Sequence, residues 1–259
     1  MAERLVTLSR ERGIATVTLA RPAKLNSLTP AMLDELEVCA RELDADTDVR
    51  VVVLTGSGDK AFCVGADINE WAALAPLDMW RRWVRRGHQV FDQWARLRQP
   101  VIAAINGHAF GGGLELAITA DIRIAAEGAQ FALPEASIAT CPGWSGTQRL
   151  VQLIGASRVK YLALSGQRLS AVDALAQGLV HELVPAASLT QRTLALAAEM
   201  STKAPVSLQL TKQLVNAASG EDRAATLEAI AGALAASTQD AAEGIRSFRE
   251  KRAAHYAGR

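Results

Sequence analysis

The sequence predicts an α/β fold with a helical layer at its C-terminal end. Three observations carry that reading. Val51-Val-Val-Leu54 and Val101–Ile105 are short, continuous apolar runs of the kind buried on both faces of a parallel sheet. The second run leads through Asn106-Gly-His-Ala-Phe-Gly-Gly-Gly113 into Leu114–Ala120, which reads as a glycine-rich strand-to-helix junction. From Leu189 onward, about seventy residues follow an alanine-rich helical pattern, broken at Pro205 and Gly220.

Taken in order, Leu5–Leu8 and Ile14–Leu19 alternate apolar and polar residues around Glu11-Arg-Gly13, the pattern of a β-hairpin. Thr29-Pro30 reads as an N-cap followed by proline at the first helical position, and Leu33, Leu36, Ala40 and Leu43 carry the helix to about Asp44. Thr55–Asp67 is a long loop of small residues, a feature often functional inside a compact domain. Asp78–Leu97 is a helix whose apolar stripe is Trp80, Trp83, Val84, Phe91 and Trp94. These aromatics pack a core, or else Trp71, Trp80 or Trp83 lines a ligand pocket. Arg81, Arg82, Arg85 and Arg86 share one face of that helix, as a solvated or subunit-facing surface or, more sharply, a nucleic-acid patch.

Asp121–Ala125 is a further strand. Gln130–Glu135 is a shorter extended piece in which Pro134 fixes the backbone before Glu135. Cys141-Pro-Gly-Trp-Ser-Gly146 is a turn-rich loop into a helix near Thr147. Ser170–Asp173 is close to a capping box and opens a short helix ended by Gly178, before a strand over Leu179–Val184.

Composition narrows the function classes. The chain has 259 residues, 49% of them hydrophobic, and a net charge of +1, so charge argues neither for nor against an acidic partner. Cys39, Cys63 and Cys141 show no zinc-ligand spacing and read as buried apolar groups in a reducing compartment. No run approaches the ~20 apolar residues of a membrane span. The chain enters a strand almost at once, which leaves little room for a leader, so the expectation is a soluble cytoplasmic protein.

Gly107–Gly113 gives neither a dinucleotide fingerprint nor a phosphate loop, and there is no G-x-S-x-G nucleophile elbow. His88, His108, His181 and His255 lack ligand spacing, which argues against a metal site; His108 either faces a ligand or fills space. The glycines bring backbone N–H groups close to a ligand at a helix start that favours negative charge. Glu115 lies three residues past Gly112 among Leu114, Leu116 and Ala117, so it is desolvated and its pKa is expected to rise. Glu135, near a second glycine-containing loop, is the other candidate carboxylate.

These residues resemble the enoyl-CoA hydratase/isomerase family, the crotonase superfamily, along nearly the whole chain. The matching segments include Arg21-Pro-Ala-Lys-Leu-Asn-Ser-Leu28, Lys60-Ala-Phe-Cys-Val-Gly-Ala-Asp-Ile68, Pro100–Gly107, Gly111-Gly-Gly-Leu-Glu-Leu116, Pro134-Glu135 and Gly146-Thr-Gln-Arg-Leu150. The specificity of the match lies in their order and spacing. The resemblance implies a ClpP/crotonase-like spiral of ββα units over 1–188, holding CoA and the active site, and a helical trimerisation region over 189–259. It implies a homo-oligomer, a trimer or dimer of trimers.

By the same resemblance, the N–H groups of Ala66 and Gly112 form an oxyanion hole for a thioester carbonyl. Glu115 and Glu135 hold a water and add it across a 2-enoyl-CoA double bond to give 3-hydroxyacyl-CoA, in fatty-acid or related acyl-CoA degradation. Gly143 contacts the water. Ala23, Lys24, Leu25, Ala66, Asp67, Ile68, Gly112, Phe248 and Lys251 contact CoA, which is substrate, so that no cofactor or metal is implied. Trp144 and Ser145 stand where typical hydratases carry small residues, and Asn69 where many carry Lys. Trp144 either narrows the acyl pocket, reshapes the surroundings of the bound water, or turns away into packing. The competing readings are other acyl-CoA chemistry, such as isomerisation or hydration of a branched or aromatic acyl group, and an RNA-binding or scaffolding homologue. Near-zero net charge and the intact glutamate pair argue against the last; neither nucleic acid nor membrane is expected as a partner.

Overall fold

The N-terminal alternation closes as a hairpin, with β1 (Val6–Glu11) antiparallel to β2 (Ile14–Leu19) across a turn at Arg12-Gly13. The structure, a computed structural model, describes residues 4–259. Thr29 Oγ1 accepts a hydrogen bond from the Met32 N–H at 3.2 Å, which satisfies one free donor at the start of α1 (Pro30–Ala45). One face of α1 buries Met32, Leu33, Leu36, Cys39, Ala40 and Leu43, the spacing read in the sequence.

The chain then repeats a motif. β3 (Val51–Gly56) is followed by β4 (Ala61–Cys63), then α2 (Ile68–Trp71), α3 (Pro76–Asp78), a π-helical segment Met79–Val84 and α4 (Arg85–Ala95). β5 (Val101–Ile105) and β6 (His108–Phe110) precede α5 (Gly112–Ala117). β7 (Ile122–Ala126) and β8 (Gln130–Ala132) precede a 3-10 turn Glu135–Ile138, α6 (Gly146–Ile154) and α7 (Ala156–Ser165). The first strand of each pair joins a six-stranded sheet ordered β1-β2-β3-β5-β7-β10, parallel from β2 onward. The second joins a four-stranded sheet ordered β4-β6-β8-β9. β9 (Leu169–Ser170), α8 (Ala171–Ala176) and β10 (Glu182–Val184) complete the two sheets. This is the expected ββα spiral.

Two apolar layers explain why β3 and β5 read as unbroken hydrophobic runs. Val52, Leu54, Ala103 and Ile105 face the main core with α1, Phe91 and Trp94. Val51, Val53, Ile102 and Ala104 face the other way and pack against Leu189 and Ala197 of α9 (Leu189–Ser201). The expected division at residue 188 therefore falls before a helix that covers the sheet. The chain separates into two compact units after Gln209. α10 (Pro205–Ala218) begins before that point. The second unit contains α11 (Arg223–Ala236) and α12 (Gln239–Glu250), whose Glu243 accepts from Arg252 Nη1 at 2.6 Å and from the His255 N–H at 3.1 Å.

Several local expectations are corrected. β4 is a strand inside the expected 55–67 loop; three residues are too few for an alternation to show. The α5 helix stops at Ala117 rather than Ala120. Trp80 is 59% exposed instead of on the buried stripe, because the π segment holds more residues per turn and rotates it outward; Arg81 lies against its ring at 5.8 Å. Arg86 leaves the basic face to pair with Glu37 at 2.6 Å and Asp34 at 2.8 Å. Cys39 and Cys63 are buried, but Cys141 is exposed. Among the described residues no helix is long and apolar enough to cross a membrane.

Candidate active site

The three consecutive glycines differ in what requires them. Gly111 has φ +50°, and a Cβ there would stand 2.9 Å from Glu135 Oε1. At Gly112 a Cβ would meet the Trp144 ring at 2.8 Å, and at Gly113 it would meet the Cys63 carbonyl oxygen at 2.0 Å. The junction is thus packed on three sides by one side-chain carboxylate, one indole and one backbone. Gly113 fixes α5 on β4, while Gly111 and Gly112 open the space above it.

Two N–H groups face that space. Leu28 N–H donates to Gly65 O and Asp67 N–H donates to Leu28 O, both at 2.8 Å, so the intervening Ala66 N–H turns the opposite way along the bridge. Gly112 is the first residue of α5, where an N–H has no intrahelical acceptor. No backbone carbonyl of the described residues accepts from either group. The loops approach closely: a Cβ at Gly65, which has φ +96°, would lie 3.1 Å from Gly112 N.

Two carboxyls flank the same cavity of about 230 Å³. Glu115 is 3% exposed, and its Oε1 accepts from the Trp144 N–H at 2.9 Å and the Gly146 N–H at 2.8 Å. Burial pushes its pKa up, against the lowering effect of those backbone donors and of the more distant Arg149 guanidinium. Glu135 is 9% exposed and both its oxygens are buried without a hydrogen-bond partner. Burial, with the Glu115 charge as a smaller contributor, raises its pKa from 4.5 to about 7. One carboxylate is anchored and the other is free to exchange a proton near neutrality.

Glu115 is aimed by a loop that is itself braced. Ser145 sits between the two donors at φ +75°, and its hydroxyl lies 3.1 Å from both His88 Nδ1 and Asp92 Oδ1. Arg149 Nη2 donates to the same Asp92 oxygen at 2.9 Å. The bracing residues His88, Asp92 and Arg149 are not legible as site residues, because they meet only through side chains that reach from α4 to the 145–149 segment. Gly146 is equally required: a Cβ there would stand 2.4 Å from Glu115 Cγ.

Trp144 is both packed and placed at the cavity. Its ring is 3% exposed and packs on Trp83 and Phe91, with centroids 5.3 and 5.2 Å away, yet it also lines the cavity beside Gly143. Trp71 and Trp83 line the cavity as well, whereas Trp94 is core and its indole N–H donates to Leu36 O at 3.1 Å. His108 stacks on Phe110 at 5.2 Å, a packing role.

Ala23, Lys24 and Leu25 lie on a 3-10 turn beside the 66–68 segment. The Val64 N–H donates to Leu25 O at 3.2 Å, and Arg21 Nη1 meets Asp67 Oδ2 at 2.6 Å. The Asp67 carboxyl is held below its ordinary range by Arg21, and it caps α2 by accepting from the Asn69 N–H, so its backbone is what remains to offer a ligand. Ile68 is exposed next to it. Phe248 and Lys251 belong to the separate C-terminal unit, where Phe248 is 85% exposed and Lys251 ends α12 in a left-handed conformation.

The alternating two-sheet spiral is a crotonase-type fold. Residues 9–259 match the family model described as enoyl-CoA hydratase/isomerase, and the chain belongs to that family. It is 38% identical to the short-chain-enoyl-CoA hydratase of Clostridium acetobutylicum, over 95% of each chain. It is 36% identical to the (E)-benzylidenesuccinyl-CoA hydratase of Thauera aromatica, covering 98% of this chain and 99% of that one. The crystal structure of an enoyl-CoA hydratase from Bacillus anthracis superposes with a TM-score of 0.82 at 36% identity, over 98% of this chain and all of that one.

Proposed function

We propose that the protein is an enoyl-CoA hydratase that adds water across the 2,3 double bond of a 2-enoyl-CoA to give the 3-hydroxyacyl-CoA. The observation that carries this reading is the pairing of an anchored carboxylate, Glu115, with an unpartnered one, Glu135, beside two free N–H groups. In this mechanism the thioester carbonyl accepts from the Ala66 and Gly112 N–H groups, which stabilise the negative charge that develops as C3 is attacked; losing one such donor typically costs ~2.7–4 kcal/mol.

Glu115 is the base. Its Oε1 is fixed by two N–H donors, which favour the charged form, and its other oxygen takes a proton from the water as hydroxide bonds to C3. Glu135, with a pKa of about 7, holds a proton near neutrality and delivers it to C2, so one water is added and no group leaves. The two carboxyls return to their starting states by proton exchange with solvent. Acid/base chemistry on a thioester calls for no metal or redox cofactor.

CoA runs along Ala23–Leu25 and Ala66–Ile68, with Phe248 and Lys251 reaching it in an assembled trimer or dimer of trimers in the cytoplasm. Turnover of crotonyl-CoA tests the reaction: formation of 3-hydroxybutyryl-CoA supports it, while conversion of 3-enoyl-CoA without hydration assigns an isomerase instead. Glu115→Gln and Glu135→Gln are each expected to lower hydration by ~10²–10⁴-fold while acyl-CoA binding survives. A variant with near wild-type rate overturns the two-carboxylate mechanism.

A further inference from the structure

Gly87 is the third residue of α4, inside the consecutive helical segments Pro76–Asp78, Met79–Val84 and Arg85–Ala95, where glycine weakens a helix by roughly 1 kcal/mol relative to alanine, and no turn or positive φ calls for it. What calls for it is Trp144. A Cβ at Gly87 would stand 2.1 Å from the indole Nε1, 2.2 Å from Cε2 and 2.5 Å from Cδ1. The opposite edge of the same ring lies over Gly112, where a Cβ would meet Cε3 and Cζ3 at 2.8 Å. The indole therefore spans the gap between α4 and the start of α5, wedged between two glycines. Trp83 and Phe91 hold it from the sides, so it cannot swing away without repacking the core.

Its position relative to the chemistry follows from one point in space. The Cβ position at Gly112 is 3.7 Å from Ala66 N as well as 2.8 Å from the ring. A carbonyl oxygen accepting from that N–H at ~2.9 Å would enter the cavity that Glu115, Glu135 and Trp144 line together. The Trp144 ring is therefore a wall of the space open to the acyl group.

We propose that Trp144 and Gly87 are a matched pair that closes the inner end of the acyl cavity and selects short acyl chains, of about four to six carbons. The inference rests on the acyl-CoA reading of the site and adds the substrate class. Size discrimination in an apolar pocket runs at roughly tenfold or more per misfitted methylene, so one wall suffices to set a preference.

The test uses saturated butyryl-, hexanoyl- and decanoyl-CoA as ligands that cannot be hydrated, with dissociation constants measured by calorimetry. Wild type is expected to bind butyryl-CoA at least about tenfold more tightly than decanoyl-CoA, and Trp144→Ala to shift that ratio toward decanoyl-CoA by at least about tenfold. Gly87→Ala should weaken all three ligands by displacing the indole, and the double variant Gly87→Ala/Trp144→Ala should regain what Gly87→Ala lost. If Trp144→Ala does not fold, Trp144→Phe must move the ratio in the same direction. An unchanged ratio in the folded variant, or a wild type that binds decanoyl-CoA as tightly as butyryl-CoA, overturns the proposal. Because these ligands need no turnover, failure to hydrate any enoyl-CoA would count against the hydratase reading alone.

Discussion

Replacing Glu135 with Gln is expected to lower hydration by ~10²–10⁴-fold and, as pH rises, to leave the protein more stable than wild type. The Glu135 oxygens are buried without partners, and the pKa in the folded protein stands near 7 against an ordinary 4.5. Between those values the folded state holds more proton than the unfolded one. The stability this contributes is fully present below about pH 4.5 and is lost as pH climbs through 7. A tenfold change in proton affinity is worth ~1.4 kcal/mol, so the loss between pH 5 and 8 comes to ~2–3 kcal/mol. Gln does not ionise and escapes it, whereas Glu115, also raised by burial, is present in both proteins and cancels to first order. Urea unfolding of both proteins at pH 5 and pH 8 measures the effect. The stability of Glu135→Gln relative to wild type should grow by that amount over the interval. A difference that stays constant with pH, or shrinks, would refute the argument that Glu135 is a desolvated and unpaired acid.

Other changes separate the bracing of the site from its chemistry. Ser145→Ala loses the contacts to His88 and Asp92, so unfolding free energy should fall by ~1–3 kcal/mol, with kcat reduced more than KM as the Glu115 donors loosen. Gly146→Ala forces a Cβ to within 2.4 Å of Glu115 Cγ; hydration should drop by at least ~10²-fold while circular dichroism stays unchanged. Thr29→Ala removes the α1 cap and should cost ~1 kcal/mol in chemical denaturation, with kcat per folded molecule retained.

The fold was legible where a local pattern matched a local cause. β3 and β5 are apolar on both faces because both faces are covered, and Thr29-Pro30 starts a helix because its cap is in the sequence. Glu115 was readable from its apolar neighbours and the glycines before it. What escaped the sequence depends on packing between distant segments. β4 is too short to show its period, and the π segment shifts a register that periodicity assumes constant, so Trp80 was misplaced. Gly87 reads alone as a flaw in a helix. Only the indole of Trp144, brought against it by the fold, gives it a reason. The Ser145 network is of the same kind, since no motif marks a serine, a histidine, an aspartate and an arginine whose side chains meet only in the fold.

On the proposed mechanism, reaction and specificity are set independently at Trp144. Its contribution to Glu115 comes from a backbone N–H, which any residue except proline supplies. Its contribution to the cavity comes from the side chain, whose size is limited by Gly87 and Gly112. A substitution at 144 that keeps the loop braced by Ser145 therefore leaves the donor to the base in place while changing the shape of the pocket. The converse does not hold. At Gly146 the added Cβ strikes the carboxylate itself, so that position has no freedom to vary the substrate without damaging the chemistry.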